Sequence, residues 1–215
     1  MALITDDLNP LERLQVAKAE HYRETLAKAD GADATGLLKG EHAMLEILKV
    51  AVEPLAQETF APFGQVISSF DEAKPEAVVG ALTENAYTVR SDLHDPTTAA
   101  LDLSTGRLRG HFACHNDAGQ SFYPSRHCPT IFFIAPIQPM IEPAELRAFY
   151  SDGSSGICMK VLVWHTMPVC LRGEEVYLTS RGDQDYHAHS TDVHFDQDRG
   201  LALDPDMENF SGWKA

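Results

Sequence analysis

The spacing of apolar positions along this chain changes near residue 50. Before it, Leu11, Leu14, Ala17, His21 and Thr25, with Leu26 beside them, recur at helical spacing as a mixed apolar stripe. Asn9 ahead of Pro10 supplies a cap and a residue suited to the first helical position, Glu12 favours the first turn, and Gly31 after Lys28 supplies a stop. A second short helix is predicted from Glu41 to Lys49, on Met44, Leu45 and Leu48. The stripe is thin, so residues 1–50 are expected to form a helical arm packed on the body or on a partner subunit.

From residue 51 to 215 the pattern is one of short β-rich runs between turn signals at Phe63-Gly64, Asp95-Pro96, Thr105-Gly106, Asp152-Gly153, Arg172-Gly173 and Arg181-Gly182. Ile131 to Ile134, Lys160 to Trp164 and Val176 to Thr179 read as buried strands, and Pro136, Pro139 and Pro143 mark a connection. Many short strands without helices between them predict a mainly β body, a sandwich or small barrel.

Composition narrows the function. Seventeen Lys and Arg against 32 Asp and Glu leave a net charge of −15, a field that repels phosphate backbones and anionic lipid. Nucleic-acid and membrane partners are therefore not expected. No run reaches the roughly 18 apolar residues of a membrane span. The start Met-Ala-Leu-Ile-Thr-Asp-Asp lacks the basic and apolar pattern of a targeting signal, so a cytoplasmic location is expected. Cys114, Cys128, Cys158 and Cys170 have no CxxC spacing and read as free buried thiols. An anionic ligand would need a local cluster of cations to outweigh the overall charge.

Of ten histidines, six fall in three segments that could carry chemistry. In Gly110-His111-Phe112-Ala113-Cys114-His115, strand alternation sends His111, Ala113 and His115 to one face, and a return strand after Asn116 to Gly119 brings Gln120 beside His115. That set reads either as metal ligands or as a polar barrel mouth without metal. His165 closes the apolar run Lys160 to Trp164 and reads as a structural histidine unless another segment supplies partners. Tyr186-His187-Ala188-His189 with Asp192, His194 and Asp196 has metal-like spacing, with His187 and His189 on one strand face, but lies among acidic residues that favour a solvated stretch. The chain has no Gly-rich phosphate loop, GxSxG elbow or HExxH helix, so no nucleotide cofactor is expected.

Several of these pieces stand in a recognisable order. Leu55 to Phe60 with Gly64 and Ile67, then His115 with Gln120-Ser-Phe-Tyr-Pro124, Leu146-Arg-Ala-Phe149 with Gly153 and Gly156, and Val163-Trp164-His165 resemble the ureidoglycolate lyase family over Val52 to Asp196. The resemblance implies a double-stranded β-helix of the cupin type, usually dimeric; the helical arm of residues 1–50 has no counterpart in it. It implies elimination of urea from ureidoglycolate to give glyoxylate, and a divalent metal. In a cupin the two histidine segments face one barrel mouth, which gives His165 its partners. On that basis His115, His165 and Lys160 are candidate catalytic residues, and Gln120, Arg126 and Trp164 candidate substrate-binding residues. His111, His115, Gln120 and His165 are candidate metal ligands. Lys160, Arg126 or Arg181 is the candidate cation for a substrate carboxylate.

The chain departs from the family pattern in three places. It lacks glutamates before His115, Thr166 stands where a second histidine would follow the Trp-His pair, and Val161 and Leu162 stand where a polar or basic residue would precede the tryptophan. With His111 in place of a carboxylate, the site suits nickel, zinc or iron, with manganese a further candidate. A metal-dependent cupin isomerase or dioxygenase, and a barrel that binds a small carboxylate without catalysis, remain as alternatives.

Overall fold

The computed structural model describes residues 45–95, 100–101, 106–183 and 186–213. The helix predicted after Asn9 lies outside them. The strands are, in chain order, β1 (Glu46–Val50), β2 (Val52–Pro54), β3 (Gly64–Ile67), β4 (Leu82–Arg90), β5 (Leu93–Asp95), β6 (Ala100–Leu101), β7 (His111–His115) and β8 (Gln120–Pro124). They continue as β9 (Thr130–Ala135), β10 (Arg147–Ser151), β11 (Gly156–Met159), β12 (Trp164–His165), β13 (Val169–Cys170), β14 (Glu174–Gly182), β15 (Ser190–His194) and β16 (Leu201–Pro205). The helices are single short turns, α1 (Gln57–Phe60), α2 (Tyr186–His189) and α3 (Phe195–Arg199). No described helix is long and apolar enough to cross a membrane.

Two sheets face each other. One has the order β15-β7-β12-β9-β10-β2, with β13 also on β9; the other runs β3-β11-β8-β14-β4. Between them lies a core of Phe60, Phe63, Val89, Phe122, Phe132, Ile134, Phe149 and Tyr177. A second core, with Phe112, Ile131, Phe133, Trp164, Val193, Phe195 and Leu203, covers the outer face of the first sheet. Strand β9 is therefore buried on both faces, which is why its sequence is continuously apolar rather than alternating. The mainly β barrel predicted from the short strands is the observed architecture.

Three local expectations are corrected. Residues 46–49, predicted as the end of a helix, belong to strand β1, which runs parallel to β16; Leu48 and Val50 turn toward the outer core while Ile47 and Lys49 are exposed, a period of two that the three apolar residues of the helical reading had hidden. The strand predicted from Lys160 to Trp164 is instead a turn leading into β12. Leu162 adopts φ +68°, a conformation costly for a bulky residue, and there the chain leaves the sheet of β11 for that of β12. Arg181-Gly182, read as a turn, lies inside β14, where any Cβ on Gly182 would collide with the Asp117 carboxylate.

Candidate active site

The pleat decides which side chains enter the barrel. On β7, Phe112 and Cys114 join the outer core, so His111, Ala113 and His115 face inward. On β12, Trp164 goes to the outer core, where its indole N–H donates to the Gln138 carbonyl at 2.9 Å, and His165 faces inward. On β8, Gln120 and Phe122 face inward. The imidazoles of His115 and His165 meet with ring centroids 5.2 Å apart, and Phe122 lies edge-on to His165 at 5.8 Å. His165 Nε2 is 3.1 Å from Gln120 Oε1, and the Gln120 amide donates to Thr179 Oγ1 at 3.3 Å. His115 Nδ1 is 2.9 Å from Ser190 Oγ on β15.

The environment keeps both rings neutral. Burial, reinforced by the positive charge that His165 would carry and by Arg181, and opposed by Asp192, lowers the pKa of His115 to about 3. Burial lowers that of His165 to about 4, against the Val163 carbonyl, which accepts from its Nδ1 at 3.0 Å. With its one proton on Nδ1, His165 turns a lone pair on Nε2 toward the Gln120 carbonyl oxygen, so two acceptors face each other. Either the amide reverses to present its NH₂, or a cation sits between them. Two neutral imidazoles and an amide oxygen thus form a donor set that fits a borderline divalent ion. Among the described residues no group of three or more His, Cys, Asp or Glu side chains could hold a metal, so the set depends on Gln120.

These depressed values give stability a sign with pH. In the metal-free protein both imidazoles stay neutral in the fold while the unfolded chain takes up protons below about pH 6.5. Stability is therefore full above that value and falls as pH drops toward about 4 for His165 and about 3 for His115. The expected slope is about 1.4 kcal/mol per pH unit for each ring. Urea unfolding from pH 7 to 4.5 should show this slope in the wild type and a flatter one in a His115→Gln, His165→Gln double variant; parallel slopes would mean that other groups govern acid sensitivity.

A cavity of about 300 Å³ opens beside the rings, lined by Arg107, His111, Gln120, Phe122, His165 and Thr166 among others. A larger surface cavity of about 660 Å³ lies against Pro54, Tyr150, Asp152, Arg172 and Phe210 and holds no imidazole. The smaller cavity is the candidate site, because imidazole and amide side chains converge on it.

The predicted site residues separate accordingly. His115, Gln120 and His165 are brought together. His111 lies four residues from His115, roughly 13 Å along the strand; its Nε2 donates to Asp192 at 3.0 Å and its ring stacks on His194 at 4.1 Å. Lys160 is elsewhere, its ammonium bonded to the carbonyls of Ala61 and Pro62 at 2.9 and 3.0 Å. Arg126 is exposed and pairs with Glu174 at 2.6 Å. Trp164 faces away from the cavity. In the third cluster, Tyr186–His189 is a helical turn rather than a strand face, and His189 meets Asn116 at 2.8 Å.

Two arginines stand near the rings. Arg107, at one end of the cavity, has its fork committed to the fully buried Asp92, at 2.6–2.8 Å, and to the Arg90 carbonyl at 3.2 Å. It holds the wall. Arg181 alternates with Thr179 on the inward face of β14, and its charge reaches His115. The pairing of Tyr177 with Pro124 and Leu178 with Tyr123, carried along the strands, sets Arg181 opposite Gln120. Sequence reasoning missed Thr179, Ser190 and the Asp92–Arg107 pair, because nothing local distinguishes them from other strand and turn residues.

Two facing sheets enclosing paired inward imidazoles define a cupin-type barrel with a polar mouth. A family model described as ureidoglycolate lyase matches residues 47–199, and the chain belongs to that family. Ureidoglycolate lyase of Pseudomonas syringae pv. tomato is 26% identical over 167 residues, covering 74% of this chain and 97% of that protein. Ureidoglycolate lyase of Pseudomonas savastanoi pv. phaseolicola is 28% identical over 171 residues, covering 73% and 96%. The match favours neither an isomerase nor a dioxygenase.

Proposed function

We propose that the protein eliminates urea from ureidoglycolate to leave glyoxylate, acting at the His115–Gln120–His165 cluster. The observation that carries this reading is a neutral imidazole, His165, lining a cavity sized for a small hydroxy carboxylate in a chain of this family. Arg181 holds the substrate carboxylate by charge-assisted hydrogen bonds. His165 Nε2 takes the hydroxyl proton; the freed O–H electron pair becomes the carbonyl bond, and the C–N pair departs with nitrogen. The same imidazolium returns its proton to that nitrogen, so glyoxylate and urea form with no co-reactant.

A substrate anion held nearby raises the basicity of His165 above its resting value, which suits it to both transfers. His115, fixed by Ser190, packs behind His165 and orients it. Were a divalent ion held by His115, Gln120 and His165, it would occupy the Nε2 lone pair and would itself lower the pKa of the hydroxyl, in place of proton abstraction by His165.

The test is glyoxylate release from ureidoglycolate, with and without added nickel or manganese. Release above the spontaneous rate is expected. Arg181→Ala should raise KM by about tenfold or more, the scale of one lost charged contact. Absence of release under every metal condition would reject the lyase reading.

A further inference from the structure

Strand β4 alternates exposed and sheltered positions, so Thr83, Asn85, Tyr87 and Val89 face the barrel interior. Its register on β14 sets Asn85 directly opposite Thr179 and Thr83 opposite Arg181. Thr179 accepts from Gln120, whose amide reaches His165. Asn85 therefore stands one side chain behind the imidazole cluster. Its Nδ2 is buried and has no hydrogen-bond partner among the described residues. Buried donors are rarely left so, because each forfeits its water without recompense. Thr or Val would occupy the same half-buried strand position without that cost.

We propose that Asn85 is a specificity residue for the ureido group, its side-chain N–H donating to the ureido carbonyl oxygen while Arg181 grips the carboxylate. This rests on the lyase reading above. Asn85 and Arg181 are diagonal cross-strand neighbours on one face, whose side chains spring from points roughly 7–8 Å apart. That spacing matches the two ends of one small ureido carboxylate. The neutral amide complements the neutral carbonyl, and the guanidinium complements the anion.

Binding of two uncleavable probes to the full-length protein tests the assignment by calorimetry. Ureidoacetate carries the carboxylate and the ureido group but no hydroxyl; glycolate carries the carboxylate and hydroxyl but no ureido group. Wild type should bind both. Asn85→Ala should weaken ureidoacetate by about tenfold or more and leave glycolate within about twofold. Asn85→Leu, which keeps much of the shape and removes the donor without adding charge, should do the same, and it guards against a folding defect in the alanine variant.

A melting temperature that does not fall in Asn85→Ala would accompany a binding role. Equal losses for both probes, or no loss for either, would overturn the role of Asn85 while leaving the lyase reading intact. If wild type binds neither probe, the lyase reading fails and this inference falls with it.

Discussion

His165→Gln is expected to lower turnover of ureidoglycolate by about 10²- to 10⁴-fold, the usual contribution of a positioned acid–base group. Glutamine fills much of the same volume and can still reach Gln120 and the Val163 carbonyl, so KM should change little. What it cannot do is accept a proton and return it. A fall in kcat with KM held, measured by glyoxylate release, therefore isolates proton transfer from binding. His115→Gln serves as the comparison: its ring lies 5.2 Å behind that of His165, so its loss should be the smaller. Turnover within a factor of about three of wild type in His165→Gln would place the base elsewhere.

Arg107→Ala is expected to destabilise the fold by about 3–5 kcal/mol, the cost of leaving a buried carboxylate without its cation. The Asp92 side chain is 0% exposed and that of Arg107 24%, so solvent screens this pair little. Asp92 also accepts from the Cys170 N–H at 2.9 Å, and its own N–H donates to the Cys170 carbonyl at 2.8 Å. It thereby joins β13 to the segment after β4, and losing its partner disturbs a junction between the two sheets. Urea unfolding measures the loss. Adding Asp92→Asn should recover a large part of it, because a neutral amide no longer demands a cation. A loss below about 1 kcal/mol, or no recovery in the double variant, would show that the pair adds little net stability. Turnover per folded molecule should survive in both variants, since Arg107 is assigned to the wall rather than to the substrate.

Much of the barrel was written in the order of residues. The continuous apolar run at Ile131 to Ile134 and the Gly-bounded stretches around Asp152 and Arg172 specify strands and turns through local sterics and side-chain burial, which act over a few residues. The alternation through His111, Ala113 and His115 placed those three on one face because the strand pleat has a period of two. The same local logic failed at Lys160 to Trp164. There a left-handed Leu162 breaks an apolar run, and no local signal distinguishes a buried turn from a buried strand. It failed again at Glu46 to Val50, where parallel pairing to residues some 155 positions away outweighs helical spacing.

By itself, the sequence determined the mainly β class of architecture and pointed to three side chains, His115, Gln120 and His165, that the fold brings together. The tertiary structure alone decided how the candidate cations are placed. Lys160, Arg126 and Arg181 are equivalent as letters, yet Lys160 bonds backbone carbonyls, Arg126 pairs with a surface glutamate, and Arg181 lies near enough for its charge to reach His115. Only the fold could bring Asn85, Thr179 and Gln120 into one row, because cross-strand register is fixed by the packing of whole sheets and leaves no trace in the spacing of residues along the chain.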